Sequence, residues 1–79
     1  MKTIIIKTQE ELDKIKEVKV DEKIIISEEA DLILNSKLSV YGILEIKGKL
    51  ETDWIRNKYI SAYGNSVIRN DYSTETKNE

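Results

Sequence analysis

From Val18 onward the apolar residues alternate with polar ones, in short units set about six residues apart. The units are Val18-x-Val20, Ile24-x-Ile26, Leu32-x-Leu34, Leu38-x-Val40 and Leu44-x-Ile46. Val20, Ile26, Leu32, Leu38, Leu44 and Leu50 hold the six-residue spacing without a gap. Each unit is long enough to aim two side chains at one side of a strand and no longer. Polar corners such as Ser27-Glu28-Glu29, Asn35-Ser36-Lys37 and Lys47-Gly48-Lys49 separate them. The pattern predicts a chain that bends three times per coil, each coil hydrogen-bonding the next as parallel strands do.

A longer repeat overlies the short one. Leu38, Ser39, Val40, Tyr41 and Gly42 return as Ile60, Ser61, Ala62, Tyr63 and Gly64, then Ile46 and Lys47 as Ile68 and Arg69, each 22 residues later. Upstream, Val18, Val20, Ile24 and Ile26 stand opposite Leu38, Val40, Leu44 and Ile46 at a spacing of 20. Repeats of this length belong to stacked β-coils. The stretch from Glu51 to Tyr59, with Trp54 and Ile55 at its centre, breaks the hexads and predicts an outward loop or widened corner. Gly42, Gly48 and Gly64 fall at bends.

Before the coils, Thr3 to Lys7 reads as a strand. Thr8 with Glu11 three residues on is a capping box, and Leu12 and Ile15 share one helical face over Gln9–Lys16. This helix is expected to cap the first coil. The run Ile24-Ile25-Ile26 implies that an outer sheet face is also covered, with the same helix as the candidate cover. The expected fold is mainly β: a short parallel β-solenoid of about three coils with an N-terminal strand and amphipathic cap helix. The divisions are 1–17 for strand and cap, 18–70 for coils, and 71–79 for a flexible acidic tail, all in one domain. A small β-sandwich or roll is the alternative, because alternation alone does not fix connectivity.

Composition removes whole classes of chemistry. The 79 residues include no cysteine and no histidine, so disulfides, thiolate sites and imidazole bases are absent. A base beside Ser27, Ser36, Ser39, Ser61 or Ser66 would have to be lysine or carboxylate, and no spacing pairs them, so no catalytic residue is assigned. No metal site or cofactor is expected. The opening apolar run of three residues is too short for a signal peptide or membrane span, and the expected setting is the cytoplasm. Net charge is −2, yet residues 8–31 carry nine acids against four lysines while 54–70 carry only Arg56, Lys58 and Arg69. Bulk charge thus does not predict a nucleic-acid partner, although it leaves room for a small basic area on the C-terminal half.

The segment Ala62–Ile68, A-Y-G-N-S-V-I, resembles the tandem repeats of short β-helical proteins encoded by bacteriophages and prophages. Gly42–Glu51, G-I-L-E-I-K-G-K-L-E, is similar to the coils of bactofilin-type polymer-forming proteins. The opening K-T-x-E-E-L followed by V-x-V also looks like the start of the phage proteins. Only about one full phage-like coil is present. The resemblance implies a viral or mobile-element setting, in which small accessory proteins bind and disable host defence complexes.

The expected function is therefore a non-enzymatic protein-binding module. An antagonist of a host defence complex such as a CRISPR effector is the first reading, and a self-assembling structural β-helix the second. Weak single-strand nucleic-acid binding is the third. Trp54, Arg56, Lys58, Tyr59, Tyr63 and Arg69 are the candidate partner-binding residues, because such side chains dominate interface energetics. Glu28, Glu29 and Asp31 form an acidic cluster that either faces a partner or solubilises a corner. Ile60, Ala62, Val67 and Ile68 are candidates for self-association, a homodimer through the C-terminal coil.

Overall fold

The computed structural model describes residues 1–53 and 55–71. The elements are β1 (Lys2–Ile6), α1 (Gln9–Asp13), β2 (Glu17–Val18), β3 (Glu22–Ile26), β4 (Asp31–Ile33), β5 (Leu38–Val40), β6 (Ile43–Ile46), β7 (Lys49–Glu51), β8 (Ile60–Ala62) and β9 (Val67–Asn70). Every pairing between strands is parallel. Three sheets, β1-β3-β6-β9, β2-β5-β8 and β4-β7, form the sides of a β-solenoid of about three turns. β1 is itself the first strand of the four-stranded side, and α1 stands in the first coil where the later coils place β4 and β7.

Inward side chains line up along the axis. Ile4, Ile24, Leu44 and Ile68 form one column, Ile6, Ile26 and Ile46 a second, and Val18, Val40 and Ala62 a third. The buried core draws on all three sides together with Leu12 of the helix. Each fully buried Leu, Ile or Val contributes about 1.5–3 kcal/mol relative to exposure, so the columns are the main source of stability.

Register departs from the sequence repeat at the corners. Val18 pairs with Val40, not Leu38, while Ile24 still pairs with Leu44. Val20 therefore falls on a widened corner and is 75% exposed, outside the core that the hexad spacing assigned to it. Ile68 pairs with Leu44, and Arg69 with Glu45, so the 22-residue match of Ile46 to Ile68 and Lys47 to Arg69 is displaced by two. The cause is corner length. Val18 to Ile24 takes six steps, whereas Val40 to Leu44 takes four. Ile26 to Leu32 again takes six, and Ile46 to Leu50 only four.

Each shortened corner carries a glycine nested within the wider corner of the coil before it. A Cβ on Gly42 would strike the carbonyl oxygens of Lys19 and Glu22, and one on Gly48 those of Ser27 and Ala30. Gly64 differs. It adopts φ +60° in open space, in a wide corner closed by the Ser66 amide donating to the Tyr63 carbonyl (3.2 Å).

The helix is shorter than the Gln9–Lys16 expected from its pattern. After Leu12 the chain tightens: the Ile15 amide donates to the Leu12 carbonyl (3.0 Å), and Lys14 is the C-cap. The turn swings the chain toward β2. The capping box is present, with the Glu11 amide donating to the Thr8 hydroxyl (3.2 Å) and the Lys7 and Thr8 amides donating to the Glu11 carboxylate (2.8 and 3.1 Å). α1 packs against β4. Gln9 Nε2 donates to the Ile33 carbonyl (2.7 Å), and the Ile33 amide donates to Gln9 Oε1 (2.9 Å). One carboxamide thus supplies what a missing strand would have offered. Because the helix is spent on this edge, it does not cover the outward face that carries Ile25, and Ile5 beside it is 52% exposed.

Two predictions follow from corners and cap. Gly42→Ala and Gly48→Ala should each lower stability by at least about 2 kcal/mol, since backbone rather than side chain must move. Gly64→Asn should stay within about 0.5 kcal/mol; urea midpoints measure all three, and equal losses would refute the nested-corner account. Separately, the Lys7 and Thr8 amides hold the Glu11 carboxyl below the usual carboxylate range. A depressed folded pKa gives stabilisation present above the unfolded value and lost as pH falls through the folded one. The urea midpoint should therefore fall between neutral pH and the acid side of the carboxylate range, and by less in Glu11→Gln.

Candidate functional site

The break in the repeat is a small hairpin between β7 and β8, an insertion at a corner that elsewhere needs few residues. Asp53 and Lys58 exchange both backbone hydrogen bonds, each 2.7 Å, in an antiparallel bridge. Asp53 Oδ1 accepts from the amides of Ile55 (3.1 Å) and Arg56 (3.2 Å), and Arg56 Nε lies 3.6 Å from Asp53 Oδ2. Short side-chain oxygens organise turns in this way. Asn57 takes φ +61°, a left-handed conformation that asparagine tolerates better than most residues. The hairpin thus has a braced backbone. Ile55, at its tip, is 82% exposed.

The expected binding residues divide over three places. Arg56 and Lys58 belong to the hairpin, and Tyr59 lies at its base with Lys37 Nζ 5.3 Å from its ring centroid. Tyr63 lies beyond the other end of β8, about 13 Å along an extended chain. It stacks on Tyr41 with ring centroids 5.2 Å apart and planes at 19°, as the equivalent repeat positions require. Arg69 is on the outward face of the four-stranded sheet, in register with Glu45. The six residues therefore do not form one patch. Trp54 lies outside the described residues.

The outward face around Arg69 holds a nearly buried acid, Glu45, 8% exposed, with Lys23 Nζ 3.5 Å from its carboxylate. Burial pushes the Glu45 carboxyl up, but the Lys23 ammonium and then Lys47 more than offset it and leave it below the ordinary range. The acidic cluster sits elsewhere: Glu28 and Glu29 are exposed on the corner between β3 and β4, and Asp31 begins β4 in register with Lys49. No three acidic side chains among the described residues converge closely enough to hold a metal ion.

The proposed self-association residues also separate. Ile60, Ala62 and Ile68 continue inward columns at the C-terminal end, where Ile68 is 39% exposed. Val67 points outward, in line with Ile43. Of the acidic tail, residues 72–79 lie outside the described residues. No described helix is long and apolar enough to cross a membrane.

Ile55 is not among the binding candidates that the sequence suggests, although it is the most exposed large apolar side chain among the described residues. Its neighbours Trp54 and Arg56 drew attention by residue type, whereas the exposure of Ile55 arises from the Asp53 turn. The signal was available: a short acidic side chain two residues ahead of an apolar one, within a stretch that breaks the hexads. Comparison with protein-family models, curated proteins and solved structures finds no match for this chain.

Asp53→Ala should loosen the hairpin without unfolding the coils. Amide hydrogen exchange should accelerate at Ile55 and Arg56 and stay unchanged at Leu44 and Ile26. Uniform acceleration would show that the hairpin is integral to the core.

Proposed function

We propose that this chain is a non-enzymatic protein-binding module, carried by a phage or prophage, that occupies a surface of a host defence complex in the host cytoplasm. A CRISPR effector is the type of target meant. The observation that carries the reading is the braced hairpin with Ile55 exposed at its tip and Arg56 beside it. An apolar side chain held out on an ordered turn has little conformational freedom left to lose on binding. The likeness of Ala62–Ile68 to phage β-helical repeats supplies the biological setting.

A second reading, a homodimer through the C-terminal coil, is favoured by a specific observation. β7, β8 and β9 each lie at one edge of their sheets, and Ile68 and Ile60 stand incompletely covered there. A twofold contact would close that surface without growth into filaments.

The experiment is capture from a host bacterial lysate with mass spectrometry, using the wild type, Ile55→Asp and Arg56→Glu. A single stoichiometric host complex is expected, and each substitution should weaken it by about 2 kcal/mol with an unchanged melting curve. Recovery of the bait alone would overturn the antagonist reading. Light scattering decides the second reading: a mass of 9.2 kDa at micromolar concentration removes the dimer.

A further inference from the structure

At the C-terminal end all three sides of the solenoid stop together, with β7, β8 and β9 outermost in their sheets. In a parallel ladder alternate residues face alternate neighbours. In β7 the Lys49 amide donates to the Ala30 carbonyl and the Glu51 carbonyl accepts from the Leu34 amide, both at 2.8 Å. In β8 the Tyr59 carbonyl accepts from the Leu38 amide (3.0 Å) and the Tyr63 amide donates to the Val40 carbonyl (2.9 Å). In β9 the Val67 amide donates to the Gly42 carbonyl (3.0 Å) and the Asp71 amide to the Ile46 carbonyl (2.7 Å). Odd-numbered residues therefore serve the coil beneath. The N–H and C=O groups of Leu50, Ile60, Ala62 and Ile68 point off the end, with no partner strand among the described residues. Their side chains continue the inward columns, so the end presents three open edges around an apolar centre.

A cover for this end must itself be three-sided. A strand from an unrelated protein would meet one edge and leave two open. The N-terminal end of a second copy does not fit, because α1 stands where β7 would need a strand. The C-terminal end of a second copy does fit, since a flipped coil keeps the outline and reverses every strand. Resting on the dimer reading above, we infer that two copies join tail to tail through β9, paired antiparallel with its own copy about Ile68. The two four-stranded sheets then become one of eight strands.

Hydrogen bonding and charge select that centre. Only even-numbered residues of β9 face the partner, so the axis passes through a residue and not between two. About Ile68, the two copies of that residue exchange both hydrogen bonds and stack their side chains inward, while Val67 lies beside the partner's Arg69. About Arg69, the two guanidinium groups oppose each other, which like charges resist. About Val67, Ile68 meets the partner's Ser66, whose amide is already given to the Tyr63 carbonyl (3.2 Å), and one bond of the pair is lost. An axis through the middle of the β9 side leaves by the opposite corner, the one that carries the hairpin between β7 and β8. β7 of each copy thus faces the other's β8, and the two exposed Ile55 tips stand at one corner of the dimer.

Sedimentation equilibrium of the full chain, Val67→Glu and Val67→Lys reads the centre by sign. About Ile68, glutamate at position 67 meets the partner's Arg69 and should tighten the dimer by roughly three- to tenfold, and lysine should loosen it similarly. A centre on Val67 would weaken both variants. A centre on Arg69 sets position 67 beside the partner's Asp71 and would reverse the two signs. The chain has no cysteine, which permits a second measurement. Val67→Cys mixed with Arg69→Cys should give a disulfide-linked pair on mild oxidation, because the Cα atoms of such a cross-strand pair lie about 4.5 Å apart. Each variant alone should give little. Either other sign pattern, or a mixed disulfide no more abundant than the single ones, would overturn this pairing and leave the dimer standing. A mass of 9.2 kDa at every concentration would remove the dimer reading and the inference with it.

Discussion

Axial alignment of the inward side chains is the constraint on which the rest of this structure depends. Coils spaced as parallel strands can bury Ile24, Leu44 and Ile68 only if each arrives at the same place on the sheet as its predecessor. Any difference in the number of residues per coil must then be expelled to a corner. The corners do absorb it: Ile24 pairs 20 residues on, Leu32 pairs 18 on, Leu38 pairs 22 on and Leu44 pairs 24 on. Columns stay straight while corners swell and shrink. Gly42 and Gly48 are consequences of this rule, because a shortened corner beneath a wider one brings backbone against backbone.

The same rule explains how much the sequence disclosed. Alternation reports which side chains face inward, and nearly all of the buried core could be read from it; the parallel coils and the three-sided section needed the six-residue spacing and the 20- and 22-residue repeats as well. Register could not be read. Val18 and Val20 both satisfy an alternating pattern, and a shift by two residues leaves every inward residue inward. The choice between them is made at the Lys19–Glu22 corner, where the Glu22 amide turns back onto the Lys19 carbonyl (2.9 Å) and the Glu22 carboxylate accepts from the Lys19 amide (3.0 Å). Likewise Ile46 and Ile68 matched in sequence because Tyr41-Gly42 and Tyr63-Gly64 aligned, yet the second corner runs two residues further before β9 begins. The candidate site was legible as a location, the break after Glu51. It was not legible as a surface, since Arg56 and Tyr63 lie at opposite ends of β8 and Arg69 lies on the outward face of the four-stranded sheet.

Ends are the weak point of any solenoid, and this chain treats them unequally. At the first coil a helix replaces a strand, and Gln9 presents a side-chain amide to Ile33 in place of a peptide group. Asp13 fixes that amide by accepting from Gln9 Nε2 (2.8 Å) and from Asn35 Nδ2 (3.1 Å). Those two contacts, Gln9's first and then Asn35's, hold the Asp13 carboxyl below its ordinary range. The arrangement ends one sheet cleanly and also prevents head-to-tail growth on that side, because a helix is thicker than a strand. The other two sides have no such plug, which is why the chemistry of β1 differs from that of β4 although both begin their sheets.

A division of labour results. Column positions accept only apolar side chains of suitable size and so carry little freedom to specify a partner. Corners and edges are released from that demand. Two extra residues at a corner, as around Val20, are accommodated within the turn; a longer insertion, as at Asp53–Lys58, must leave the surface and needs its own bracing. Asp53 provides it by accepting from two amides and pairing with Arg56, so the projecting segment keeps a shape independent of the coils beneath. A short solenoid can therefore acquire a binding surface by lengthening one corner while its core is left unchanged.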